Sequence, residues 1–151
     1  MKHALLVPFA ELLPDVEGWL EQPEGIPPHV TVLFPSPPSI ADALDGVEAF
    51  DVVFRETGRF EDAVWLAPEP AERFVELTKR VWARFPDWPP YGGEFLPEIT
   101  PHLTVAWGAH LDEAEEAMGS RLPLHSRARE ALLLAEVGPG RWETQSIFAF
   151  A

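Results

Sequence analysis

Pro28-His29-Val30-Thr31-Val32 recurs as Pro101-His102-Leu103-Thr104-Val105. In an extended strand, residues i and i+2 point to the same face. His29 therefore shares a face with Thr31, and His102 with Thr104. Val30, Val32, Leu103 and Val105 point the other way, into a core. Each strand sets an imidazole and a hydroxyl side by side on a rigid support, as a preorganised site requires.

Working outward from the two copies, a strand and a helix can be drawn before each. A short helix and two strands follow, joined near Gly58 in the first half and near Gly138 and Gly140 in the second. Self-similarity on this scale predicts two related lobes in one domain, facing across a pseudo-twofold axis. With 151 residues the chain fits a single domain, residues 1–151. The lobes divide approximately as 1–67 and 68–151, with strands free to cross between them. No linker-like stretch separates them.

Alternation and β-branched residues predict strands at His3–Phe9, Val30–Phe34, Phe50–Arg55, Ala63–Ala67, Leu103–Trp107, Ala131–Val137 and Thr144–Phe150. Helical spacing covers Pro14–Leu20 and Ser39–Val47. It is clearest over Glu69–Phe85, where Phe74, Leu77, Val81, Trp82 and Phe85 form one face and Pro86 ends the run. A last helix spans Leu111–Leu122, with Asp112 as its cap. The segment Trp88–Pro101, rich in Pro and Gly, reads as a loop.

Composition narrows the function. Apolar residues make up 46% of the chain, enough for a core. Eleven Lys and Arg against 25 Asp and Glu give a net charge of −14. Long nucleic acid and anionic membranes, which reward clustered cations, are not expected partners. The absence of cysteine removes disulfides, thiolate zinc sites and cysteine nucleophiles, and points to the cytoplasm. The apolar run Ala4–Ala10 ends at Glu11, too short for a signal peptide or a membrane span.

The repeated pair suits a phosphodiester. A neutral imidazole takes a proton from water or a hydroxyl while a protonated one delivers a proton to the leaving oxygen. Threonine hydroxyls donate to the non-bridging oxygens, where charge builds in the transition state. No Asp, Glu, Lys or Arg occurs from Ile26 through Ala41 or from Ile99 through Leu111, so neither motif has a carboxylate beside it in sequence. No metal and no cofactor is called for. A duplicated strand kept only for core packing is the plainer alternative.

These residues resemble the two-histidine (2H) phosphoesterase superfamily, and within it the 2′-5′ RNA ligase and RNA 2′,3′-cyclic phosphodiesterase branch. Gly58-Arg59-Phe60, Val64-Trp65-Leu66 and Pro101-His102-Leu103-Thr104 look like that branch's middle section. The resemblance implies a bilobal α+β fold, with two antiparallel sheets lining a central cleft and helices outside. It implies metal-independent cleavage of a 2′,3′-cyclic phosphate, or reversible 2′-5′ ligation. His29 and His102 would then be the acid–base pair, with Thr31 and Thr104 binding phosphate; which histidine is acid stays open. Scarce basic residues favour a small nucleotide or short RNA end over tRNA halves. A monomer is expected. The rival is a catalytically weak module that binds nucleotide phosphates in the same cleft.

Arg59, with Arg55 and Arg141, is a candidate phosphate contact or else a surface ion pair. Trp88 and Tyr91 precede the second motif and are candidates for stacking on a base, or for plugging a core edge. Phe34 and Trp107, each five residues after a motif histidine, read as core or cleft wall. His3, His110 and His125 lack the motif, and Glu113–Glu116 reads as a solvated helix face.

Overall fold

A computed structural model describes residues 1–16, 25–96 and 98–151. Strand β1 (His3–Pro8) leads into a short turn of helix α1 (Leu13–Val16), then to β2 (His29–Leu33), the first motif strand. The remainder of the expected Pro14–Leu20 helix lies outside the described residues. Next come β3 (Phe50–Phe60), β4 (Ala63–Glu69), α2 (Ala71–Arg84) and the second motif strand β5 (Leu103–Trp107). Helix α3 (Leu111–Arg121), β6 (Leu124–Ala128), β7 (Glu130–Gly138) and β8 (Arg141–Ala149) complete the order.

The strands form two four-stranded antiparallel sheets, β2-β1-β7-β8 and β5-β4-β3-β6. This is the bilobal α+β arrangement, but the sheets do not follow the two halves of the sequence. The first sheet takes the two outermost strand pairs of the chain and the second takes the middle four strands. In each repeat, a strand, a helical segment and a motif strand stay together, and a later strand crosses over. β3 leaves β2 to pair with β4, and β7 leaves β5 to pair with β1. Both motif strands are sheet edges, and they lie against each other.

One hydrophobic cluster serves both sheets. Phe9, just after β1, meets Phe54 of β3 edge to face at 5.3 Å, and Phe74 of α2 stands 5.3 Å from Phe50 and 6.4 Å from Phe9. Such contacts add about 0.5–1.5 kcal/mol each beyond area burial. Val30, Val32, Leu103 and Val105 are all essentially buried in this cluster, as the alternation required. Helix α2 buries Phe74, Leu77, Thr78 and Val81, while Trp82 and Phe85 are only half-buried. Thr78 ties the helix to the motif strand: its hydroxyl donates to the Val32 carbonyl at 2.7 Å. Thr78→Val keeps the shape but leaves that buried carbonyl unsatisfied. The expected loss is about 1–2 kcal/mol, measured as a fall in Tm that Thr78→Ser restores.

Four local expectations are corrected. Residues 39–47 form successive i to i−3 turns, not a helix, with Ala41 and Gly46 in the left-handed region. Gly58 lies inside β3, and the β3–β4 turn is Glu61-Asp62. The residue capping α3 is His110, which makes no side-chain capping bond, and Asp112 sits in the first turn. Strand β6 was not anticipated: Leu-His-Ser-Arg-Ala carries no β-branched residue, and it is held as an edge by β3.

Candidate active site

Each motif histidine follows a proline, and the residue before a proline is driven into extended backbone. The consequence is the same in both lobes. The carbonyl two residues before the ring accepts from its Nδ1: Pro27 to His29 at 2.9 Å, Thr100 to His102 at 2.7 Å. A carbonyl oxygen only accepts, so Nδ1 carries a hydrogen in either charge state. Nε2 is therefore the titrating atom of each ring.

His29, Thr31, His102 and Thr104 line one cavity of about 350 Å³. The expected convergence of two imidazoles and two hydroxyls is present in the geometry. Burial pushes the His29 pKa below the ordinary histidine value; the Pro27 carbonyl opposes this and the charge on His102 adds to it. Burial lowers His102 as well, against the pull of the Thr100 carbonyl. The charge on His102 is felt at His29, and both rings line the same cavity.

The surroundings of the two rings differ. His102 stands edge-on to Phe60 at 4.9 Å and 5.9 Å from Trp65, and Phe60 and Trp65 are 5.2 Å apart. Trp65 pairs across the sheet with Gly58 on one side and Thr104 on the other. Its indole fills the space that a side chain at position 58 would take. Its Nε1–H is buried without a partner among the described residues. On the other lobe Tyr91, in left-handed backbone, has its amide on the Phe34 carbonyl at 2.6 Å and its hydroxyl beside that of Thr31. Burial raises the Tyr91 pKa, with Thr31 opposing.

Phe34, Tyr91 and Trp107 line the cavity, but Trp88 packs against the core instead. Arg59 is not among the lining residues. Its guanidinium is bound to Asp112 at 2.9 Å and Glu115 at 3.3 Å. Glu115 also accepts from Thr57 at 2.8 Å, so it is not part of a solvated face. Arg55 pairs with Glu69, and Arg141 folds back over Gly138. Several lining residues escaped the sequence reading, two of them able to bear on a ligand by stacking or by charge. Trp142 comes from β8, at the far end of the chain, and Asp62 from the β3–β4 turn. A lone tryptophan amid polar strand residues was the available signal for the first; the second had none. No group of three His, Asp or Glu side chains among the described residues is arranged to hold a metal ion. No helix among them is long and apolar enough to cross a membrane.

The family model described as the 2′-5′ RNA ligase superfamily matches residues 20–137. Among solved structures, the Escherichia coli LigT complex with 3′-AMP superposes with a TM-score of 0.66 at 16% identity, over 99% of this chain and 98% of that one. TT0787 of Thermus thermophilus gives 0.65 at 18% identity, with the same coverage of 99% and 98%. LigT complexed with NADP+ gives 0.63 at 14%, over 99% and 97%. These similarities establish the shared fold. No curated protein matches the chain.

Proposed function

The chain belongs to the 2′-5′ RNA ligase superfamily, and from that membership and the geometry of the cleft we propose that it is a metal-independent phosphodiesterase acting on 2′,3′-cyclic or 2′-5′-linked nucleotides. The observation that carries the reading is the matched tethering of His29 and His102. Both rings present a titratable Nε2 in one cavity that also holds two threonine hydroxyls. One imidazole takes a proton from water as its oxygen bonds to phosphorus. The other, protonated, gives its proton to the 3′ oxygen as the P–O3′ bond breaks, leaving a 2′-phosphate. Thr31 and Thr104 donate to the non-bridging oxygens. The 3′-AMP bound in a LigT structure supports a small nucleotide as the occupant. The cavity volume falls in the range usual for small-molecule sites.

The test is hydrolysis of nucleoside 2′,3′-cyclic phosphates with EDTA present. Turnover that survives the chelator supports the reading. Tight nucleotide binding without turnover selects the weak binding module, and neither result leaves a duplicated packing strand. The pH profile follows from the depressed histidines. Activity needs one ring neutral and one charged, so kcat/KM is bell-shaped, with both limbs set by the pair. Both values lie below about 6.5 in the free protein, which puts the optimum on the acid side of that figure. A bound phosphate anion favours the charged rings, so the kcat profile moves to higher pH. A kcat/KM optimum well above neutrality would contradict the assignment.

A further inference from the structure

Resting on the phosphodiesterase reading above, we infer that the cavity admits the reacting phosphodiester as its only anionic group, and that Asp62 is the residue that turns away a second phosphate on the substrate. Around the two histidines and two threonines the described walls are aromatic and aliphatic, and Asp62 is their one charged side chain. Arg59, the arginine on the neighbouring stretch of β3, is held by Asp112 and Glu115. Asp62 is fixed in place by its backbone, whose carbonyl accepts the Gly108 amide at 3.0 Å at the end of β5. Its carboxylate makes no ion pair or hydrogen bond with any described residue. Phe60 and Ala63, on either side of the turn, line the same cavity.

The charge balance follows. A phosphodiester carries one negative charge, which one imidazolium offsets. A terminal phosphate adds between one and two more at neutral pH. It would enter a cleft whose described walls offer it no Lys or Arg and one carboxylate, in a protein already at −14. A neutral 5′-hydroxyl instead gives the Asp62 carboxylate a donor. The substrate class is therefore a nucleoside 2′,3′-cyclic phosphate, or a 2′-5′-linked dinucleoside monophosphate, with a free 5′-hydroxyl.

The experiment compares kcat/KM for a nucleoside 2′,3′-cyclic phosphate with that for its 5′-phosphorylated counterpart. The native protein is expected to favour the 5′-hydroxyl form about tenfold at low salt, and less as salt screens the repulsion. Asp62→Asn shrinks the ratio to about twofold, and Asp62→Lys reverses it. Equal native values, or a ratio that Asp62→Asn does not move, overturn the inference. If neither compound is turned over, the phosphodiesterase reading fails by itself. Calorimetry with a nucleoside 2′-monophosphate and the 2′,5′-bisphosphate then decides for Asp62. A preference for the monophosphate that Asp62→Asn abolishes supports its role; equal affinities overturn it.

Discussion

On the proposed acid–base mechanism, alanine at His29 or at His102 is expected to lower kcat/KM on a nucleoside 2′,3′-cyclic phosphate by about 1,000-fold or more. The double variant is expected to be little worse than either single one, because acid and base act in the same step. Loss of fold is the competing explanation, since each ring also donates from Nδ1 to a backbone carbonyl. Asparagine separates the two effects. His102→Asn keeps an amide donor near the Thr100 carbonyl but has no titratable Nε2. It should retain a native Tm and be as inactive as alanine. A well-folded asparagine variant with more than about a tenth of native activity would remove His102 from the chemistry.

Gly58→Ala is expected to have the next largest effect, although position 58 does not line the cavity. An added Cβ would lie 2.3, 2.4 and 2.6 Å from three ring atoms of Trp65. The indole, which is only part-buried, must move. It packs on Phe60, and both rings pack on His102. Overpacking of this kind costs about 2–3 kcal/mol, or roughly 5–10 °C in Tm for a chain of this size. Displacement of His102 by a fraction of an ångström adds about a tenfold loss in kcat. Trp65→Leu in the Gly58→Ala background should recover Tm, giving a coupling energy of at least about 1 kcal/mol in a double-mutant cycle. Additive losses would show that the indole does not transmit the strain.

Particular residues show how far the sequence carries a reader. Strand β5 was legible to the residue, because Leu-Thr-Val alternates and begins directly after a proline–histidine pair. The buried valines and leucines behind the motif followed from period two alone. The turns at 39–47 were misread as helix because apolar spacing there imitates 3.6, while the left-handed backbone at Ala41 and Gly46 leaves no mark in that pattern. The candidate site was legible in its two histidines, two threonines and Tyr91. For Arg59 the sequence left two readings open, and the ion pair is the one formed, with partners Asp112 and Glu115 more than fifty residues away in sequence. Trp142 was hidden for a related reason: strand exchange between the repeats carries β8 into the sheet of β1 and β2. Pairing across so long a separation is not written in local periodicity.

That exchange also orders events in time. β1 sits between β2 and β7, and its partner residues Ala135, Leu134, Leu133 and Leu132 leave the ribosome long after it does. The middle sheet can close as soon as β6 appears, whereas β1 and β2 wait as an incomplete ribbon until β7 arrives. Contacts this distant along the chain slow the search for the native state. The cleft between the sheets thus cannot be complete until β7, and with β8 the cavity-lining Trp142, has been made.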